Sequence, residues 1–112
     1  MTNEDKEKLQ NRQFTDSLII SCLATCESVI GKNAYLEKKW SNYYVCSNSA
    51  ADEYKMKRLE WMNHRERLRS LLLPRYSMKT IIQMTKSCTD KATQKAVKEV
   101  IGLIEKNDYV LL

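Results

Sequence analysis

Large apolar side chains recur three and four residues apart through most of this chain, which is the spacing of one face of an α-helix. In the first such segment they occupy Leu18, Ile19, Cys22, Leu23, Cys26, Val29 and Ile30. The apolar rows predict helices near residues 16–31, 33–46, 50–73, 78–87 and 90–106. We therefore predict an all-α fold, a single small helical domain of about five helices over residues 16–112. The polar residues 1–15 are expected to form an extension with a frayed helix.

Residues that interrupt or cap helices set these boundaries. Gly31 suits the left-handed conformation that ends many helices, so it separates the first two helices, and Asn33 can cap the second. Pro74 lacks an N–H and restricts the residue before it, which ends the third helix near residue 72 or 73. Thr89 and Asp90 are the N-cap candidates of the last helix.

The most regular apolar positions define the predicted core. Its members are Leu18, Ile19, Cys22, Leu23, Cys26, Leu36, Trp40, Trp61, Leu68, Leu72, Ile82, Val97, Val100, Ile101 and Ile104. No heptad repeat extends far enough to predict a long coiled coil. The terminal residues 109–112 are apolar and β-prone, so they either pack against the domain or add to a partner.

Positive charge is concentrated on the third predicted helix. The chain of 112 residues has a net charge of +5, and basic residues outnumber acidic ones by five between Lys55 and Arg75 alone. Such a run is either an ordinary solvated helix face or a docking strip for an acidic partner. Arginine predominates in its second half, and a guanidinium group suits two-point contacts with carboxylate or phosphate.

The four cysteines lie at positions 22, 26, 46 and 88. The chain starts with a polar, charged segment without a secretory signal, so we expect free thiols in an intracellular protein, nuclear or cytoplasmic, that is not secreted. Cys22 and Cys26 are one helical turn apart without a second pair of closely spaced ligands, which favours core packing over metal binding. No apolar run approaches the roughly 20 residues of a membrane span. Neither a metal nor a cofactor is predicted.

Aromatic residues are concentrated in the second predicted helix, at Tyr35, Trp40, Tyr43 and Tyr44. Beside Lys38 and Lys39 they can stack on nucleic-acid bases. Base-stacking platforms are typically built on sheets, whereas these residues follow a helical period. The pattern therefore favours a role in a core or a protein interface.

Sequence motifs of common enzyme mechanisms are missing. There is no Gly-rich phosphate loop, H-E-x-x-H or G-x-S-x-G motif, and the single histidine, His64, is expected at the surface of the basic segment. We predict a non-enzymatic protein–protein interaction module, a small subunit or adaptor of a larger assembly. Its partner is expected to be a protein with an acidic and apolar surface, or a second copy of the chain. The predicted partner-binding residues are Tyr43, Tyr44, Tyr54, Arg58, Trp61, Met62, Arg65, Arg67 and Arg69.

The last two predicted helices support an alternative function. Residues 78–87, a tight turn at Cys88 and Thr89, and residues 90–106 resemble the helix-turn-helix part of a winged helix. That resemblance implies nucleic-acid binding, with Lys91, Gln94, Lys95 and Lys98 facing the duplex. The chain ends where a wing should follow, and acidic residues dilute the charge of this helix, so the interaction module is the favoured hypothesis.

Overall fold

The computed structural model describes residues 1–41 and 48–112, and this part of the chain contains five helices and two short strands. They are α1 (Asn3–Gln10), β1 (Gln13–Phe14), α2 (Asp16–Ser41), α3 (Asn48–Leu72), α4 (Met78–Ser87), α5 (Gln94–Glu105) and β2 (Val110–Leu111). The all-α prediction is confirmed. Arg58 contacts Glu37 while Arg69 contacts Glu27, so α2 and α3 form an antiparallel hairpin. The molecule is elongated, with extents of 50 × 28 × 24 Å.

The predicted break at Gly31 is wrong, because α2 runs through it without interruption. No described glycine has a positive φ, so Gly31 adopts the ordinary helical conformation. Asn33 does not cap a new helix; its buried side chain donates to the carbonyl of Val29 one turn back, at 2.8 Å. Since α3 packs alongside α2, the contacts between the two helices outweigh the weak helix propensity of one glycine. The end predicted for the second helix lies outside the described residues.

The predicted stop before Pro74 is confirmed, because α3 ends at Leu72. The backbone N–H groups of Arg75 and Tyr76 then both donate to the carbonyl of Leu72, at 2.9 Å. These bonds satisfy a carbonyl that the end of the helix would leave without a partner.

The last helix begins later than predicted, at Gln94, and its N-cap is Thr93 rather than Thr89 or Asp90. The Thr93 hydroxyl accepts from the backbone N–H of Ala96 at 3.1 Å. The connector before it is held on α2, since Ala92 donates to the carbonyl of Ser21 and accepts from the hydroxyl of Thr25. These tertiary hydrogen bonds keep the connector extended where local cap signals favoured a helix.

Most of the predicted core is confirmed as buried. The confirmed members are Leu18, Ile19, Cys22, Leu23, Cys26, Trp61, Leu68, Leu72, Val97, Val100 and Ile101. Ile104 is half-buried and packs against this core from its edge. Leu36 and Ile82 are only half-buried, and Trp40 is 36% exposed, so these three predictions are wrong. The buried residues of α2 lie mainly in its first half, where α1, α4 and α5 also pack. Leu36 and Trp40 lie beyond that region, in the half of α2 that projects with α3.

The N-terminal residues 1–15 form α1 and β1, and they bury Leu9 and Phe14 in the core. Strand β2 pairs in parallel with β1, matching Val110 with Gln13 and Leu111 with Phe14. The ring of Tyr109 stacks on that of Phe14, with centroids 4.8 Å apart. The C-terminal segment therefore packs against the domain, one of the two outcomes expected for it. No helix in the described ranges is both long and apolar enough to cross a membrane.

Candidate protein-docking surface

The contact between α2 and α3 follows a heptad pattern along the whole of α3. Residues at alternating spacings of three and four are buried or half-buried, at Ala51, Tyr54, Arg58, Trp61, Arg65, Leu68 and Leu72. The same spacing on α2 gives buried or half-buried residues at Ile19, Cys22, Cys26, Val29, Asn33 and Leu36. We call these two rows the seam. This heptad pattern, in which Arg58 and Arg65 occupy two of the α3 positions, was not predicted from the sequence.

The arginines predicted to contact a partner form ion pairs within the chain. The Arg58 Nε donates to Glu37 Oε2 at 2.8 Å. Glu27 Oε1 accepts from both Arg65 and Arg69, at 3.0 and 3.2 Å. These three arginines therefore join α3 to α2 across the edge of the seam.

Arg58 and Glu37 shift each other's pKa, and a fourth arginine, Arg67, pairs with an acid of α5. The hydrogen bond from Arg58 is the main cause that lowers the pKa of Glu37, and the same bond raises the pKa of Arg58. Arg67 Nη1 contacts Glu105 Oε1 at 2.8 Å and so joins α3 to α5. Much of the basic strip that the sequence offered for a partner is thus occupied by acids of this chain.

Trp61 is fully buried in the seam, which confirms it as a core residue and removes it from the accessible surface. Its ring meets the ring of His64 edge-on, with centroids 5.2 Å apart. His64 is half-buried rather than at the surface, and its Nε2 lies 3.6 Å from Glu60 Oε1. Burial lowers the pKa of His64 and outweighs the opposing effect of Glu60.

Of the remaining predicted partner-binding residues, two are half-buried on α3 and two lie outside the described residues. Tyr54 is half-buried in the seam, and Met62 is half-buried with its sulfur 3.5 Å from Arg58 Nη1. Tyr43 and Tyr44 lie outside the described residues. Tyr54 and Met62 therefore offer only part of their side chains to a partner.

The exposed apolar residues of α3 lie on the side opposite to the seam. Met56 is two residues from both Tyr54 and Arg58, and two residues correspond to about 200° around a helix. Leu59 is two residues before Trp61 but directly follows Arg58, so it lies on the flank of that side, nearer to the seam than Met56 does. Met56 is 67% exposed and Leu59 is 43% exposed, although both are large apolar side chains. These two residues were not among the predicted site residues, although their spacing relative to the buried row is visible in the sequence.

Lysines flank this exposed pair. Lys55 and Lys57 are exposed on either side of Met56. Lys55 lies on the edge nearest α2, where its charge helps to lower the pKa of Glu37. We call Met56 and Leu59, together with Lys55 and Lys57, the α3 outer surface. It combines an apolar centre with positive charge at its edges, which is the arrangement of a contact with an apolar and acidic partner.

The residues of the nucleic-acid alternative do not all lie on one helix. Gln94, Lys95 and Lys98 are exposed on α5. Lys91 is in the connector before α5, where its carbonyl accepts from the N-terminal amine at 3.2 Å. The segment after α5 forms the short strand β2, which pairs in parallel with β1 from the N-terminal part of the chain.

The described cysteines are free thiols. Cys22 and Cys26 are buried, while Cys88 is half-buried. Burial is the main cause that raises the pKa of both buried thiols, that of Cys26 to about 12, so neither is a reactive thiolate at neutral pH. Within residues 1–41 and 48–112, no group of three or more His, Cys, Asp or Glu is arranged to hold a metal ion. Cys46 lies outside the described residues.

Comparisons with known proteins provide no relative from which a function could be transferred. No family model matches the chain, and no match is found among curated proteins or solved structures.

Proposed function

We propose that this protein is a non-enzymatic interaction module that binds another protein through the α3 outer surface. The observation that carries the proposal is the exposure of Met56 and Leu59 on the side of α3 opposite to its buried seam. The folded chain does not need these side chains for its own core. Methionine is common at binding surfaces because its flexible thioether adapts to the shape of a partner.

The chemistry of the surface defines the partner. Lys55 and Lys57 favour acidic groups around an apolar cleft that accepts Met56 and Leu59. A contact of this kind uses the apolar pair for affinity and the lysines for orientation and rate of association. We keep the expectation that the complex forms inside the cell, in the cytoplasm or the nucleus.

The test is a quantitative co-purification from the native source of wild-type protein and the double variant Met56→Glu plus Leu59→Glu. Since both positions are exposed, the variant is expected to keep its helical circular-dichroism spectrum and its melting temperature. A stoichiometric protein partner, retained after nuclease treatment, should be depleted by about tenfold or more with the variant.

Ser70→Glu is the matched control, because Ser70 is an exposed position on the same helix, four turns further along. It adds a carboxylate without touching the α3 outer surface, and it should retain the partner. Charge reversal at Arg65 or Arg69 is a poorer test, since it would also break the ion pairs with Glu27. Equal retention by wild type and double variant, or a complex that nuclease removes, would contradict the proposal.

A further inference from the structure

An open concave surface lies between helices α1 and α5, with a volume of about 560 Å³. We call it the α1–α5 groove. Apolar and small residues from both helices line it, among them Leu9, Gly102 and Leu103. Leu9 is buried and the other two are half-buried, so this lining forms a floor rather than a freely solvated face. The groove shares no residue with the α3 outer surface.

Basic side chains surround this floor. Lys6 comes from α1, and Lys95 and Lys106 come from the α5 side. All three are exposed, and none forms an ion pair with another described residue. Among the described residues that line the groove, Glu99 is the one acid. Arg12 also lines it, but its Nη1 already contacts Asp108 Oδ2 at 2.9 Å.

Gly102 leaves space in the floor that the fold itself does not require. It lies inside α5, where glycine destabilises a helix by about 0.5–1 kcal/mol relative to alanine. Apart from its chain neighbours and the adjacent backbone of α5, a β-carbon added at Gly102 would meet no described atom within 4 Å. Because no contact within the described chain needs glycine here, the open space is available to a molecule bound in the groove.

We propose that the α1–α5 groove binds an acidic peptide segment of another protein. Apolar side chains of the peptide pack on Leu103 and in the open space beside Gly102, and its carboxylates contact Lys6, Lys95 and Lys106. A nucleic-acid backbone would use the lysines but gain little from a floor lined by leucine side chains. This proposal does not rest on the α3 outer surface, and the two can fail separately.

The test starts from a phage-displayed library of short random peptides selected on the full-length protein. Selected peptides should combine Asp or Glu with large apolar residues. In fluorescence anisotropy, their affinity should fall by about tenfold or more with Lys95→Glu plus Lys106→Glu, in which opposite charges are replaced by like charges. The affinity should also fall with Gly102→Ala, because the added methyl group occupies the floor.

Gly102→Ala keeps the test independent of folding. This variant should melt at a higher temperature than wild type, since alanine favours the helix and the added methyl group meets no other described part of the chain. Gly31→Ala is its matched control, another glycine-to-alanine change inside a helix with open space around it, and it should leave peptide affinity unchanged. Selection of peptides without acidic residues, equal affinity for wild type and Gly102→Ala, or tighter binding of a DNA oligonucleotide of equal charge would overturn the proposal.

Discussion

Protonation of His64 is expected to make the stability of the hairpin depend on pH. It packs edge-on against the buried ring of Trp61, and its neighbours include Glu60, Arg67, Lys98 and Glu105. Burial lowers the pKa of His64 in the folded state. The unfolded chain, in which the pKa is near the ordinary value of about 6.5, therefore takes up the proton first as pH falls. Neutral His64 contributes stability above that value, and the contribution is lost as pH falls toward the lower folded-state pKa.

The expected consequence is a stability difference between wild type and His64→Gln that depends on pH. From about pH 7.5 to about pH 5.5, the melting temperature of wild type should fall by more than that of the variant, which has no imidazole to protonate. Thermal unfolding followed by circular dichroism at both pH values measures this. Parallel declines for the two proteins would mean that His64 is solvated in the folded state.

Single residues also explain why the site was only partly predictable. Trp61 was assigned both to the core and to a partner, and large aromatic residues suit either environment equally well. Arg58, Arg65 and Arg69 were assigned to a partner because the sequence does not reveal that Glu27 and Glu37 lie opposite them. Pairing between residues distant in sequence depends on the packing of α2 against α3, which composition and local spacing do not determine.

The substitution Gly31→Ala tests whether α2 is one continuous helix. In a continuous helix, Gly31→Ala should raise the free energy of unfolding by about 0.5–1 kcal/mol, because alanine has the higher helix propensity and the added methyl group meets nothing within 4 Å. Urea denaturation of wild type and variant gives this difference. A fall in stability would instead indicate the left-handed terminal glycine that the sequence pattern favoured, since alanine is strained in that conformation.

The presence of the helical segments and the end of α3 could be predicted because both depend on residues close together in the sequence. Apolar spacing identified the helical segments. Pro74 ends α3 because its ring fixes φ and leaves no N–H to donate. The start of α5 could not be predicted in the same way. Thr89, Asp90 and Thr93 are all able to cap a helix, and the hydrogen bonds between Ala92 and α2 hold the preceding connector extended, so that Thr93 becomes the cap.

For the whole molecule, the all-α class follows from apolar periodicity, whereas the accessible surface does not. Helix α3 has large apolar residues on two sides, represented by Trp61 on one and Met56 on the other. The spacing did identify Trp61, Leu68 and Leu72 on the buried side. It did not show that the arginines of α3 pair with acids of α2 and so leave the outer side as the available surface. The structure therefore moves the proposed docking site from Trp61 and the arginines to the α3 outer surface.

Site-specific photocrosslinking in the native cells tests that proposed site most directly. A photoreactive benzoylphenylalanine replaces Met56 or Leu59 in turn, and the same residue at the exposed Ser70 of α3 serves as the control. We predict one discrete adduct with a different protein from positions 56 and 59, absent from position 70 and unchanged by nuclease. No adduct at positions 56 and 59, the same adducts from position 70, or adducts only with a second copy or with nucleic acid would contradict the account.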